Sequence, residues 1–224
     1  MNKKIEFYAS TISDNPKLIF DHLVTFKKFG ISGIHFDVMD GNFVPRLGLY
    51  PELLESIKNS TDLPVEAHLM LSNPDKYIET FIEAGAQRIL VHFEALENPN
   101  RTLTLINKLG VENCVVLNPK TDFSLLKQCI NQIDSVMLMA INPGVPKHPF
   151  IPETLTKLKD LRNWLDDLKP EIRIGIDGGV TFDNVKQLDE FGADWLICGS
   201  GTIFKPGADL VENLFQLTNI FKSI

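Results

Sequence analysis

Short apolar runs alternate with amphipathic segments from one end of the chain to the other. The runs rich in β-branched and aromatic residues are Lys4–Ser10, Gly33–Val38, Pro64–Met70, Arg88–His92, Asn113–Asn118, Ser135–Ile141, Arg173–Asp177 and Trp195–Gly199. Each is short enough for a strand and apolar enough to be buried on both faces. Between them, apolar residues recur at helical spacing around Pro16–Phe29, Pro51–Asn59, Pro74–Ala84, Asn100–Leu109, Phe123–Ile130, Pro152–Leu168, Phe182–Phe191 and Ala208–Ile220. Prolines open several of these segments, where a missing N–H costs nothing, and Gly30, Gly85, Gly110 and Gly192 close others. Eight strand–helix units predict an α/β fold, a (β/α)8 barrel. An open doubly wound sheet is the rival arrangement. No Pro/Ser-rich linker divides the chain, so residues 1–224 are expected to form one domain.

The barrel reading puts chemistry at strand C-termini. His35 and Asp37 lie two apart on one strand and therefore share a face. His68 ends the next strand, and Asp177 ends the seventh. Three of the five histidines (His35, His68 and His92) sit at strand ends. Two imidazoles and two carboxylates suit one divalent ion, whether zinc, iron, manganese or cobalt. Such an ion would polarise a carbonyl and stabilise the oxyanion formed when an adjacent C–H is deprotonated. Asp37 and Asp177, from different strands, suit an acid/base pair acting on opposite faces of one carbon. Inversion beside a carbonyl then needs no organic cofactor. His92 and Glu94 are expected to orient the ligands from outside.

Glycine-rich turns follow the seventh and eighth strands, at Asp177-Gly178-Gly179 and Gly199-Ser200-Gly201. Barrels often hold phosphate there through loop amides; plain tight turns are the bland reading. Met39, Met70 and Met139 lie at or just past strand ends, as a soft dry floor for substrate or as ordinary core. Ser10 either bonds a substrate hydroxyl or caps a turn.

Composition and charge narrow the class. The chain is 44% hydrophobic and 23% charged, with a net charge of -7. That balance argues against nucleic acid or an acidic membrane surface as partner, but not against a small phosphorylated substrate. No apolar run approaches membrane-spanning length, and the start carries no signal-peptide pattern. Cys114, Cys129 and Cys198 are odd in number and widely spaced, as in reduced, buried thiols of a cytoplasmic protein.

The chain carries His35-Phe36-Asp37-Val38-Met39-Asp40-Gly41-Asn42-Phe43-Val44-Pro45, Ala67-His68-Leu69-Met70, Val91-His92-Phe93-Glu94, Met139-Ala140-Ile141-Asn142-Pro143-Gly144 and Asp177-Gly178-Gly179-Val180. In these motifs, and over essentially its full length, it resembles the ribulose-phosphate 3-epimerase family. The resemblance implies an isomerase interconverting D-ribulose 5-phosphate and D-xylulose 5-phosphate, with one divalent ion per subunit held by His35, Asp37, His68 and Asp177. It further implies Asp37 and Asp177 as the acid/base pair, Ser10 at the substrate, a homo-oligomer, and Gly144, Gly178, Gly179, Gly199 and Ser200 around the phosphate. The chain departs from the family pattern at Val145-Pro146-Lys147-His148-Pro149-Phe150 and at Asn42, Arg46 and Gly48-Leu49-Tyr50. Pro146 removes a loop N–H that could have faced phosphate. Lys147 or His148 either replaces the lost dipole with charge or is simply solvated. A ketohexose 6-phosphate 3-epimerase is therefore the alternative reading, and a non-catalytic sugar-phosphate-binding homologue the more distant one.

Overall fold

The computed structural model describes residues 5–145 and 148–221. Eight parallel strands close into a barrel in sequence order: β1 (Glu6–Ser10), β2 (Gly33–Met39), β3 (Val65–Met70), β4 (Arg88–His92), β5 (Glu112–Leu117), β6 (Ser135–Met139), β7 (Arg173–Asp177) and β8 (Trp195–Cys198). β8 pairs with β1, from Glu6 opposite Trp195 to Ala9 opposite Cys198, which excludes the open sheet. Lys4, placed at the start of the first strand by the sequence pattern, lies outside the described residues.

Seven α-helices are present among the described residues: α1 (Ile19–Lys28), α2 (Pro51–Asn59), α3 (Ile78–Glu83), α4 (Pro99–Lys108), α5 (Glu153–Leu168), α6 (Val185–Glu190) and α7 (Leu210–Asn219). The expected stops are in place: Gly30 follows α1 at φ 75°, and Gly192 follows α6 at φ 100°. α4 starts on Pro99 with the Asn98 side chain accepting from Arg101 N, and α7 opens with an Asp209/Glu212 capping box. The segment expected to be helical over Phe123–Ile130 forms 3₁₀ turns instead, at Phe123–Gln128 and Ile130–Gln132. A 3₁₀ turn rises about 2.0 Å per residue against about 1.5 Å in an α-helix, so a short segment returns to the next strand over fewer residues. None of the helices is long and apolar enough to cross a membrane.

Strand alternation builds two cores. Outward residues such as Phe36, Val91, Ile174 and Leu196 pack against the apolar stripes of the helices. Inward residues Tyr8, Leu90, Cys114, Val116, Met137, Met139, Trp195 and Ile197 fill the barrel. The cysteines are all buried and unpaired. Two inward glycines leave room for the rings. A Cβ at Gly175 would lie 2.2 Å from Trp195 Cε2, and one at Gly33 would lie 2.4 Å from Tyr8 Cε1. Gly175→Ala is therefore expected to lower stability by about 1–3 kcal/mol through overpacking. A urea midpoint that falls at constant m-value would show it; an unchanged midpoint would mean that Trp195 has space to retreat.

Candidate metal centre and active site

Strand register brings the candidate residues together. In the β2–β3 pairing, His35 lies opposite Glu66, Asp37 opposite His68, and Met39 opposite Met70. Asp177 reaches the same level from β7, opposite Met139. One nitrogen or oxygen from each of His35, Asp37, His68 and Asp177 falls within 4.8 Å of the others. Asp37 Oδ1 is 3.2 Å from His35 Nε2 and 3.3 Å from His68 Nδ1. Asp177 Oδ2 lies 3.5 Å from His68 Nδ1 and 3.8 Å from His35 Nε2. Ser10 Oγ donates to the other Asp37 oxygen at 3.1 Å. No lysine or arginine among the described residues forms an ion pair with either aspartate. A buried carboxylate (Asp37) and a half-buried one (Asp177) beside two buried imidazoles fit a divalent cation that accepts nitrogen and oxygen ligands.

The second nitrogen of each histidine is also engaged. His35 Nδ1 lies 2.6 Å from Glu66 Oε1. His68 Nε2 lies 2.9 Å from His92 Nε2, and the two rings stack 5.0 Å apart. His92 Nδ1 is 3.5 Å from Glu94, whose carboxylate accepts from Asn118 N at 2.8 Å and from the Thr121 hydroxyl. Burial pushes His92 down to about 4, so this ring is neutral at ordinary pH. His92 and Glu94 thus stand behind His68, as expected from their position in the sequence.

The two aspartates differ in proton affinity. Burial pushes Asp177 above the usual carboxylate range, only partly offset by His35. Burial acts in the same direction on Asp37, but the charge of His35 and the hydrogen bonds from both histidines hold its carboxyl well below that range. Their proton affinities are thus pushed apart, the pattern an acid/base pair needs.

Both carboxylates line a cavity of about 840 Å³ at the C-terminal mouth of the barrel, with the two imidazoles buried behind them. Ser10, Met39, Met70, Met139, Gly144, Gly178, Gly179, Gly199 and Ser200 also line it. Pro146 and Lys147 lie outside the described residues. Gly178 and Gly179 take φ of 96° and 64°, a conformation that strains other residues. A Cβ at Gly179 would also lie 2.7 Å from the Phe150 backbone. Val44, packed with Met39 and Met70, seats against Gly144, so the loops after β2 and β6 meet beside the cavity. Asp40 ties the first of these loops to the one after β3. Its carboxylate accepts from Asn42 N and Phe43 N at 2.8 Å, and from Ser72 N and Oγ at 2.8 and 2.9 Å. Neither Asp40 nor Glu66 is among the residues read as functional from the sequence. For Glu66 the signal is there: it stands two before His68 and shares its face.

The ribulose-phosphate 3 epimerase family model matches residues 6–204. The ribulose-phosphate 3-epimerase of Aquifex aeolicus (strain VF5) is 42% identical over 172 residues, covering 77% of this chain and 78% of that protein. That of Bacillus subtilis (strain 168) is 37% identical over 197 residues, covering 88% and 91%. Among solved structures, KGPDC from Streptococcus mutans superposes with a TM-score of 0.72 at 14% identity, over 97% of each chain. Phosphoribosyl anthranilate isomerase from Thermus thermophilus gives 0.70 at 16% identity, over 98% of this chain and 99% of that one. At such identities these two show the barrel alone. Family match, curated relatives and strand-end cluster together show that this chain is an isomerase belonging to the ribulose-phosphate 3-epimerase family.

Proposed function

We propose that this protein inverts C3 of a phosphorylated ketose, interconverting D-ribulose 5-phosphate and D-xylulose 5-phosphate. The observation that carries the reading is the pair Asp37 and Asp177. They come from β2 and β7, line one cavity and have their proton affinities pushed in opposite directions. The ionised carboxylate removes the C3 proton from one face, and the C–H electron pair moves into the C2 carbonyl to give an enediolate. The protonated carboxyl then delivers its proton to C3 from the opposite face, and the two groups exchange states. Ser10, hydrogen-bonded to Asp37, holds that carboxylate in place and faces the substrate hydroxyls.

His35, Asp37, His68 and Asp177 would hold the divalent cation, whose identity as zinc, iron, manganese or cobalt the ligand types leave open. When bound, it supplies Lewis-acid stabilisation of the negative oxygen. Met39, Met70 and Met139 give that end of the cavity a polarisable, water-poor wall. The backbone amides around Gly178, Gly179, Gly199 and Ser200 receive the phosphate, with Gly144 lining the same cavity and Lys147 as a further substrate-binding residue. A homo-oligomer belongs to the same reading, as the family membership implies.

A second reading, epimerisation of a ketohexose 6-phosphate, is favoured by the loop after β6, where Val145 and His148 line the cavity. Incubation with ribulose 5-phosphate in deuterated water, followed by NMR at C3, separates the readings. Rapid deuteration with appearance of xylulose 5-phosphate is expected. No exchange there, but exchange into a ketohexose 6-phosphate, would transfer the activity to the larger sugar. No exchange into either would point to a binding protein.

A further inference from the structure

The inside of the barrel beneath His35 is charged. Glu66 is 1% exposed; one of its oxygens lies 2.6 Å from His35 Nδ1, and the other accepts from Arg88 Nη1 at 2.7 Å. Arg88, the first residue of β4, is buried too. It donates through Nη2 to Glu112 at 3.0 Å, and its Nε lies 2.9 Å from the second Glu112 oxygen. Its guanidinium carbon sits 4.8 Å from the centroid of Trp195 and 5.6 Å from that of Tyr8. Gly33 and Gly175 leave the space those rings occupy. A continuous chain therefore runs from Glu112, at the N-terminal end of the barrel, through Arg88 and Glu66 to His35.

Stability does not account for this chain. Burying an ion pair costs desolvation that mutual attraction often fails to recover, and an apolar filling of the same volume does at least as well. An apolar filling cannot hold an imidazole, however. Arg88 occupies one Glu66 oxygen and fixes the plane of the carboxylate. The other oxygen accepts from His35 Nδ1–H, which turns Nε2 toward Asp37 and His68, at 3.2 Å from each. A carboxylate behind a histidine in this way sets the tautomer and ring orientation that a cation meets. His68 has no equivalent: the group behind it is the neutral ring of His92.

We infer that Glu66 is a positioning residue for His35, and that Arg88 braces Glu66 in the orientation this requires, so that the buried pair sets the affinity of the centre for a divalent cation. The inference rests on the metal reading of the site. Its test is titration of apo protein with Co²⁺, reading affinity by competition with a chromophoric chelator and ligand geometry by the visible absorption spectrum. Glu66→Gln is expected to weaken Co²⁺ binding about 10–100-fold and to change the spectrum. Because that change can leave Arg88 buried without its partner and cost the fold, the double variant Glu66→Leu with Arg88→Met is measured beside it. Removing both charges should keep the barrel folded, yet give the same loss of affinity. Wild-type affinity and spectrum in either folded variant would overturn the inference. Loss of the fold in both would overturn it as well, since the pair would then be a structural support. Wild-type protein that takes up no Co²⁺ would remove the metal reading itself.

Discussion

Asp37→Asn and Asp177→Asn are each expected to slow epimerisation by about 10²–10⁴-fold while the barrel stays folded. Asparagine keeps the size of the side chain and can still accept the Ser10 hydroxyl bond, but it cannot take up and return a proton. Neither strand depends on these carboxylates for its pairing: β2 and β7 are held by backbone ladders and by the apolar residues between them and the helices. Far-UV circular dichroism and the urea midpoint should therefore move little. Because both groups also belong to the ligand set, cation content has to be measured on each variant. Full epimerisation by either one would remove the two-carboxylate mechanism.

Removal of divalent cations is the second large effect. The centre gathers two carboxylates and two imidazoles at the cavity floor; among the described residues, their side-chain partners are each other, Ser10 and the groups behind the histidines. Stabilising the developing oxyanion is worth several kcal/mol, so exhaustive chelation should reduce the rate by on the order of 10²-fold or more. Readdition of Zn²⁺, Mn²⁺ or Co²⁺ should restore it. Mg²⁺ should restore little, because imidazole ligands favour the transition metals. Unchanged activity in protein shown by elemental analysis to be metal-free would assign the oxyanion to protein donors alone.

Much of this is readable from the chain, because barrels obey two local rules. Strands buried on both faces appear as continuous apolar runs, so a polar residue in such a run stands out. His35, Asp37, His68 and Asp177 stand out for that reason, and strand-end position assigns them to one mouth. What escapes depends on pairing between strands. Glu66 and Arg88 also interrupt apolar runs, but only the β3–β4 register, which sets Glu66 opposite Arg88, turns them into one brace. The seat of Val44 on Gly144 joins loops far apart in the chain, and neither has a periodicity that points to the other. The segment after β5 misleads for a different reason: its apolar spacing serves a 3₁₀ turn as well as an α-helix.

The meeting of Val44 and Gly144 has an evolutionary consequence. The carboxylates proposed to handle protons stand on β2 and β7, whereas Val44 and Gly144 belong to loops. Loops accept insertions and exchanges that strands do not. A lineage can therefore redesign these loops, and with them the sugar it consumes, while inheriting the strand-borne carboxylates unaltered. Val145, His148 and Phe150, at which the chain departs from the family pattern, line the cavity where such a change of diet would leave its mark.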